Sequence, residues 1–365
     1  MSRVTPDSSL LWFRSSWAIE WTHIVRAFLR KGGFEEVDIL YTRVEGFDEF
    51  KNVKGLWIYS NSARKMHGDY DIIHYYIPGG GFMVGSAYLY LEFMQSYTLA
   101  LLEQGFSNPA IFVPDLTLLP AASYPGQLSQ VSNGWKYLTK NYPGSKIILS
   151  GDSTGGTLAL GLLLHIAKAS VTIEKFEQLE RGLEDLEAPA STESRTLVDN
   201  PITSLVKPHA VMIISPVTSF KGGTDDRVAN EDFLTTEILR KWGSYYMKNA
   251  DPLDFYHSPG ECQDDDLWRA AFPEVGMIVT YGENELVRDD IASFCERISK
   301  CGKTKTIKIE GSIHSGPILT FYTERKLEER ELHVHVLACN ISRMLLWETE
   351  RFLDQHDSLV HAGTI

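Results

Sequence analysis

The stretch 146–169 constrains the fold most. An apolar run, KIILS at 146–150, passes directly into Gly151-Asp152-Ser153-Thr154-Gly155-Gly156, and the helical run TLALGLLLHIAKA follows at once. A strand that turns into a helix within so few residues forces an unusual backbone conformation at the apex. Small residues two positions on either side then keep strand and helix from colliding. A strand feeding a helix in this way belongs to a sheet covered by helices, so the chain is expected to be an α/β protein.

The rest of the sequence repeats that alternation. Strands are predicted at 71–77 (DIIHYYI), 110–114 (AIFVP), 146–150, 210–215 (AVMIIS), 275–281 (VGMIVTY) and 304–310 (TKTIKIE). Helices are predicted at 87–104, 126–141, 155–169, 289–300 and 331–355. The expectation is one domain over 1–365 with a doubly wound, mostly parallel sheet. Two stretches break the pattern. The segment 171–207 carries EKFEQLERGLEDLE and then APASTESRT, and reads as an acidic surface insertion, a helix running into a loop. The segment 217–268 is rich in aromatics, among them Phe220, Phe233, Trp242, Tyr245, Tyr246 and Trp268. With the N-terminal 1–50, which carries Trp12, Phe13, Trp17 and Trp21, it is expected to form a helical cap. Packing in the core is the competing use for both aromatic sets.

Charge and cysteine usage remove several classes of function. A net charge of −13, from 35 Lys and Arg against 48 Asp and Glu, lacks the basic face that phosphate backbones require, so nucleic acid is not an expected partner. Cys262, Cys295, Cys301 and Cys339 show neither CxxC pairing nor His-ligand spacing, and no metal site or cofactor is expected. The apolar run at the start is interrupted by Arg14 and Glu20, and no stretch has the roughly 18 apolar residues of a membrane span. A cytoplasmic location and no integral membrane segment are therefore expected.

The turn at Ser153 supplies a chemical hypothesis. A serine at the apex of G-x-S-x-G projects its hydroxyl above the sheet edge, over a helix N-terminus, but needs an imidazole to take its proton and a carboxylate to orient that imidazole. The usual chain order is Ser, acid, His. His23, His67 and His74 precede the serine, His165 lies in the helix after it, and His209 and His257 precede the best acid loop. His333 and His335 fall in a helical pattern. His314 sits in Gly311-Ser312-Ile313-His314-Ser315-Gly316-Pro317, a flexible turn after a predicted strand, and is the candidate base. The acid belongs in Gly282-Glu283-Asn284-Glu285-Leu286-Val287-Arg288-Asp289-Asp290. There Glu285 suits a carboxylate that must reach out from the sheet, while Glu283, Asp289 and Asp290 stay open as alternatives. Pro78-Gly79-Gly80-Gly81-Phe82 directly follows a predicted strand, and its backbone N–H groups can approach a carbonyl oxygen closely.

Taken in order, PGGGF, the stretch 115–120 (DLTLLP) ahead of Tyr124-Pro125, GDSTGG, GENELVRDD and the late His314 resemble the hormone-sensitive-lipase-like branch of the α/β-hydrolases, over about 71–317. The pattern looks closest to fungal, steryl-acetate-deacetylase-like esterases. The resemblance implies an α/β-hydrolase fold, Ser153, Glu285 and His314 as the catalytic set, and Gly80, Gly81 and Thr154 as oxyanion donors. It departs from the family where Pro78 replaces the usual histidine of the glycine loop, where Thr154 stands for a frequent alanine, and where Glu285 stands for aspartate. The implied activity is hydrolysis of a small hydrophobic ester, such as an acetylated sterol, terpenoid or polyketide-type metabolite, through an acyl-enzyme. Acyl transfer, lactonisation, dehydration or cyclisation in the same pocket is a second reading. A non-catalytic small-molecule receptor is a third, against which the complete Ser, His and Glu set argues.

Overall fold

The computed structural model describes residues 37–43, 53–60, 70–184, 206–221, 232–248, 250, 254–323 and 327–346. Among them, eight strands form one sheet in the order β1-β2-β4-β3-β5-β6-β7-β8. The strands are β1 (Val37–Arg43), β2 (Lys54–Ser60), β3 (Ile72–Ile77), β4 (Pro109–Pro114), β5 (Lys146–Asp152), β6 (Ala210–Ile214), β7 (Gly276–Gly282) and β8 (Thr304–Ile309). From β4 to β8 every pairing is parallel, whereas β2 pairs antiparallel with both β1 and β4. The α/β class and the doubly wound, mostly parallel sheet are as the sequence implies.

Parallel neighbours need crossovers, and the crossovers cover both faces of the sheet, so the central strands bury both sets of side chains. All residues of β3, β4, β6 and β7 are accordingly buried. The faces separate by the two-residue period: Ile73, Tyr75 and Ile77 enter one apolar cluster, Ile72 and Tyr76 the other. Helices α1 (Leu91–Glu103), α7 (Gly316–Thr323) and α8 (Leu327–Leu346) supply the second cluster through Phe93, Ile318 and Leu337. Helices α2 (Gly126–Asn141), α3 (Ser153–Glu184), α5 (Asp265–Ala271) and α6 (Arg288–Ile298) supply the first through Trp135, Leu160, Trp268 and Phe294. The first turns of α3 are apolar nearly all round, and Leu158–Leu164 is accordingly buried throughout. No helix among the described residues is long and apolar enough to cross a membrane.

Three differences from the sequence reading have physical causes. Val37–Arg43, within the 1–50 stretch expected to contribute to a cap, forms the edge strand β1; the rest of that stretch, residues 1–36 and 44–50, lies outside the described residues. Strand identity there depends on a partner, β2, that periodicity does not reveal. The helix starting at Ser153 continues to Glu184 and so takes up the first part of the predicted insertion, while 185–205 lies outside the described residues. Within 217–268 the aromatics divide: Phe220, Tyr246 and Trp268 are core, whereas Phe233 and Tyr245 are about half exposed. Helices α4 (Thr236–Met247) and α5 both lie in this segment, each capped by a side chain. Thr235 accepts the Ile238 N–H at 3.2 Å and Asp264 the Leu267 N–H at 2.9 Å.

Candidate active site

Ser153 joins β5 to α3 with φ 51°, a left-handed conformation that a side chain rarely adopts and that the surrounding turn must enforce. The flanking glycines show how. A Cβ on Gly155 would overlap the Ile77 carbonyl oxygen of the neighbouring strand, and one on Gly151 would stand 2.8 Å from both that oxygen and the backbone of Gly155. The turn therefore closes only with hydrogen at both positions, and it leaves the Ser153 side chain above the carboxyl end of the sheet.

Two further loops meet it there. His314, in the turn between β8 and α7, places Nε2 2.8 Å from Ser153 Oγ, and its Nδ1 lies 2.9 Å from Glu285 Oε2 in the loop after β7. A carboxylate can only accept, so Nδ1 carries the hydrogen and Nε2 is left to accept from the serine hydroxyl. All three side chains are buried, at 6, 2 and 0% exposure for Ser153, His314 and Glu285. The second oxygen of Glu285 accepts from Ser215 Oγ at 3.0 Å and from the Gly282 N–H. Donors on both oxygens offset the desolvation of a fully buried charge.

The competing carboxylates point elsewhere. Glu283 is bound to Lys308 at 3.0 Å and to the Gly311 N–H at 3.1 Å, contacts that hold its carboxyl below the usual range. Asp289 pairs with its neighbour Arg288 at the exposed start of α6. Asp290 also lies in the first turn of that helix, where negative charge suits the dipole. His74 is sealed within the sheet between Ser150 and Tyr97, and burial pushes it down to about 3, so it stays neutral. His314 behaves oppositely. Burial lowers it, but the hydrogen bond and charge of Glu285, with the charges of Asp232 and Asp152, outweigh that and raise it above the ordinary 6.5.

The glycine loop lies against the serine turn. Gly80 and Gly81 have φ 115° and 63°, and the Gly80 carbonyl accepts the N–H of Met83 at 3.1 Å and of Val84 at 3.0 Å, which closes a tight turn. The Gly81 N–H donates to Thr154 Oγ1 at 3.0 Å. Gly81 must also be bare because the Trp242 indole of α4 occupies the place of a Cβ. With proline at position 78, other groups steady the loop. Asp152 accepts from the Gly79 N–H, Tyr76 Oη and Tyr90 Oη, each at 3.0 Å, and so ties the loop to the residue preceding Ser153. Burial pushes the Asp152 carboxyl upward against these donors.

Three positions central to this geometry were not singled out from sequence. Asp152 had a signal, a carboxylate inside the serine motif. Ser215 is the last residue of a predicted strand and precedes a proline; its φ is 45°, and besides donating to Glu285 it accepts the Ser315 N–H at 3.0 Å. Asp232 had none, because the two N–H groups that tie it to this site, those of Leu286 and His314, lie at least 54 residues away. Among the described residues no group of three or more His, Cys, Asp or Glu side chains converges in the manner of metal ligands.

The sheet, the sharp serine turn and the hydroxyl, imidazole and carboxylate in line can be set beside known proteins. A family model described as the alpha/beta hydrolase fold matches residues 74–317. Steryl acetyl hydrolase 1 of Saccharomyces cerevisiae is 21% identical over 272 residues, 69% of this chain and 55% of that protein. The chain spans about half the length of the first curated relatives it matches. Among solved structures, carboxyl esterase 2 from the mycorrhizal fungus Tuber melanosporum superposes with a TM-score of 0.60 at 20% identity, covering 85% of this chain and 87% of that one. A hormone-sensitive lipase from a metagenome library superposes with a TM-score of 0.59 at 18% identity, covering 85% of each chain.

Proposed function

We propose that this chain, which belongs to the α/β-hydrolase-fold family, is a serine carboxylic-ester hydrolase with Ser153 as nucleophile, His314 as general base and Glu285 as the orienting acid. The observation that carries the reading is the buried line from Ser153 Oγ through His314 to Glu285, with contacts of 2.8 and 2.9 Å. A hydroxyl that donates to an imidazole, whose other nitrogen is held by a carboxylate, is set up to lose its proton as it attacks a carbonyl.

In the first half-reaction Ser153 Oγ bonds to the ester carbon, its proton passes to His314 Nε2, and the carbonyl π pair moves onto the oxygen. The N–H groups of Gly80, Gly81 and Thr154 are the expected donors to that oxygen, and the Gly81 N–H, which donates to Thr154 Oγ1 at 3.0 Å in this structure, must turn from that hydroxyl to take part. As the carbonyl re-forms, the bond to the alkoxy group breaks and His314 protonates the departing alcohol. Water, deprotonated by the same imidazole, then attacks the acyl-enzyme, releasing the acid and returning the proton to Ser153. The charge that Glu285 places beside Nδ1 stabilises the imidazolium in both halves.

The reading of the substrate as a hydrophobic ester with a small acyl group, an acetylated sterol or a similar metabolite, draws on the yeast steryl acetyl hydrolase relative. Fluorophosphonate labelling followed by a panel of aryl, steroid and terpenoid acetates tests the proposal. Wild type is expected to label and to release acetate, and Ser153→Ala to do neither. Turnover that survives this substitution, or folded wild type that does not label, overturns it.

A further inference from the structure

One short segment, 232–247, reaches His314, the loop of Glu285 and the glycine loop. Asp232 is buried and accepts the Leu286 N–H at 2.8 Å through Oδ2, while its Oδ1 accepts the Leu234 N–H at 3.3 Å and the His314 N–H at 3.4 Å. Leu286 directly follows Glu285. A single carboxylate thus holds the main chain of the base and the main chain next to the acid, although 29 residues separate His314 from Glu285. The adjoining Phe233 sets its ring 5.8 Å from the imidazole. Three residues on begins α4, which brings Trp242 over Gly81 of the glycine loop.

We infer that Asp232 is a positioning residue, through which the seating of segment 232–247 sets the alignment of His314 with Glu285 and hence the rate of the reaction. The inference rests on the esterase reading above. A carboxylate needed only for folding would be satisfied by any nearby donors. This one takes its donors from the two loops whose relative placement decides whether the imidazole can receive a proton, and small displacements there have large kinetic effects. Its charge acts in the same place. The imidazole is faced by Glu285 from the acid loop, Asp232 from this segment and Asp152 from the serine turn, and all of these charges favour the protonated ring.

Asp232→Asn keeps the shape and one acceptor oxygen while removing the charge; Asp232→Ala removes both. Rates are to be measured per active site titrated with fluorophosphonate, so that only folded enzyme is counted. For the Asn variant, kcat is expected to fall about tenfold with KM within about twofold, and for the Ala variant about a hundredfold. Loss of the negative charge lowers the imidazole pKa, so the acid limb of the pH profile is expected to move to lower pH in both. A role confined to folding would lower the melting temperature and the titrated fraction, leaving kcat per site and the limb unchanged. That result, in whichever variant folds, overturns the inference. Wild type that neither labels nor turns over would instead overturn the esterase reading.

Discussion

Ser153 and His314 approach within 2.8 Å, yet they are held in place by different means. Ser153 owes its position to its own turn: a left-handed φ between glycines that let strand, helix and the Ile77 carbonyl close together. His314 and Glu285 sit on longer loops, and their placement depends on Ser215 and Asp232, contributed by other parts of the chain. Ser215 links the two loops by donating to Glu285 and accepting from the Ser315 N–H. The Ser153 side of the site is therefore set by the sterics of its own turn against the neighbouring strand. The base side is set by hydrogen bonds between residues far apart in the chain, and it is the side more easily disturbed without unfolding the molecule.

The contrast can be broken most severely at the serine turn. Gly155→Ala drives a methyl into the Ile77 carbonyl, and it is expected to abolish esterase activity and lower stability by about 1–3 kcal/mol or more. Thermal unfolding together with fluorophosphonate labelling checks this; a stable, labelled variant would show that the turn has room to spare. Glu285→Gln is expected to preserve the fold while reducing kcat about a thousandfold, because the amide can present a donor to Nδ1 and favour the wrong tautomer. Steady-state rates together with circular dichroism separate these effects.

The pH profile sharpens the same point. On the proposed reading the neutral imidazole is the base, and the His314 pKa is raised above 6.5, so the proposed esterase activity is expected to fall as pH drops through a midpoint above that value. In any residual activity of Glu285→Gln, the midpoint should lie lower, since burial then acts with less opposition. The smallest expected effect is at Ser215. Ser215→Ala removes one donor to Glu285 and leaves the Ser315 N–H unpaired, for a loss of about 1–3 kcal/mol in stability and roughly tenfold in kcat. Stability and kcat both at wild-type values would mean that Asp232 and Gly282 suffice to hold the loops.

The layered fold was legible in the amino-acid order because it rests on local periodicity. Six apolar runs became six adjacent parallel strands, with helices at the predicted intervals. The serine turn was legible because its signature, glycines flanking a serine between an apolar run and a helical run, lies within six consecutive residues, although the Ile77 carbonyl that forbids a Cβ on Gly155 comes from another strand. His314 could be selected by order and loop character. Glu285 could only be favoured among neighbouring carboxylates, because which of them faces the imidazole depends on where β8 and its turn lie beside β7. The antiparallel edge of β1 and β2, the division of the 217–268 aromatics between core and surface, and the parts played by Ser215 and Asp232 required the tertiary structure. Sequence by itself determined the elements whose causes lie within one turn of backbone. Tertiary structure decided everything that depends on a hydrogen-bond partner, since a buried donor or acceptor is satisfied by whatever the fold brings near, however distant in the chain.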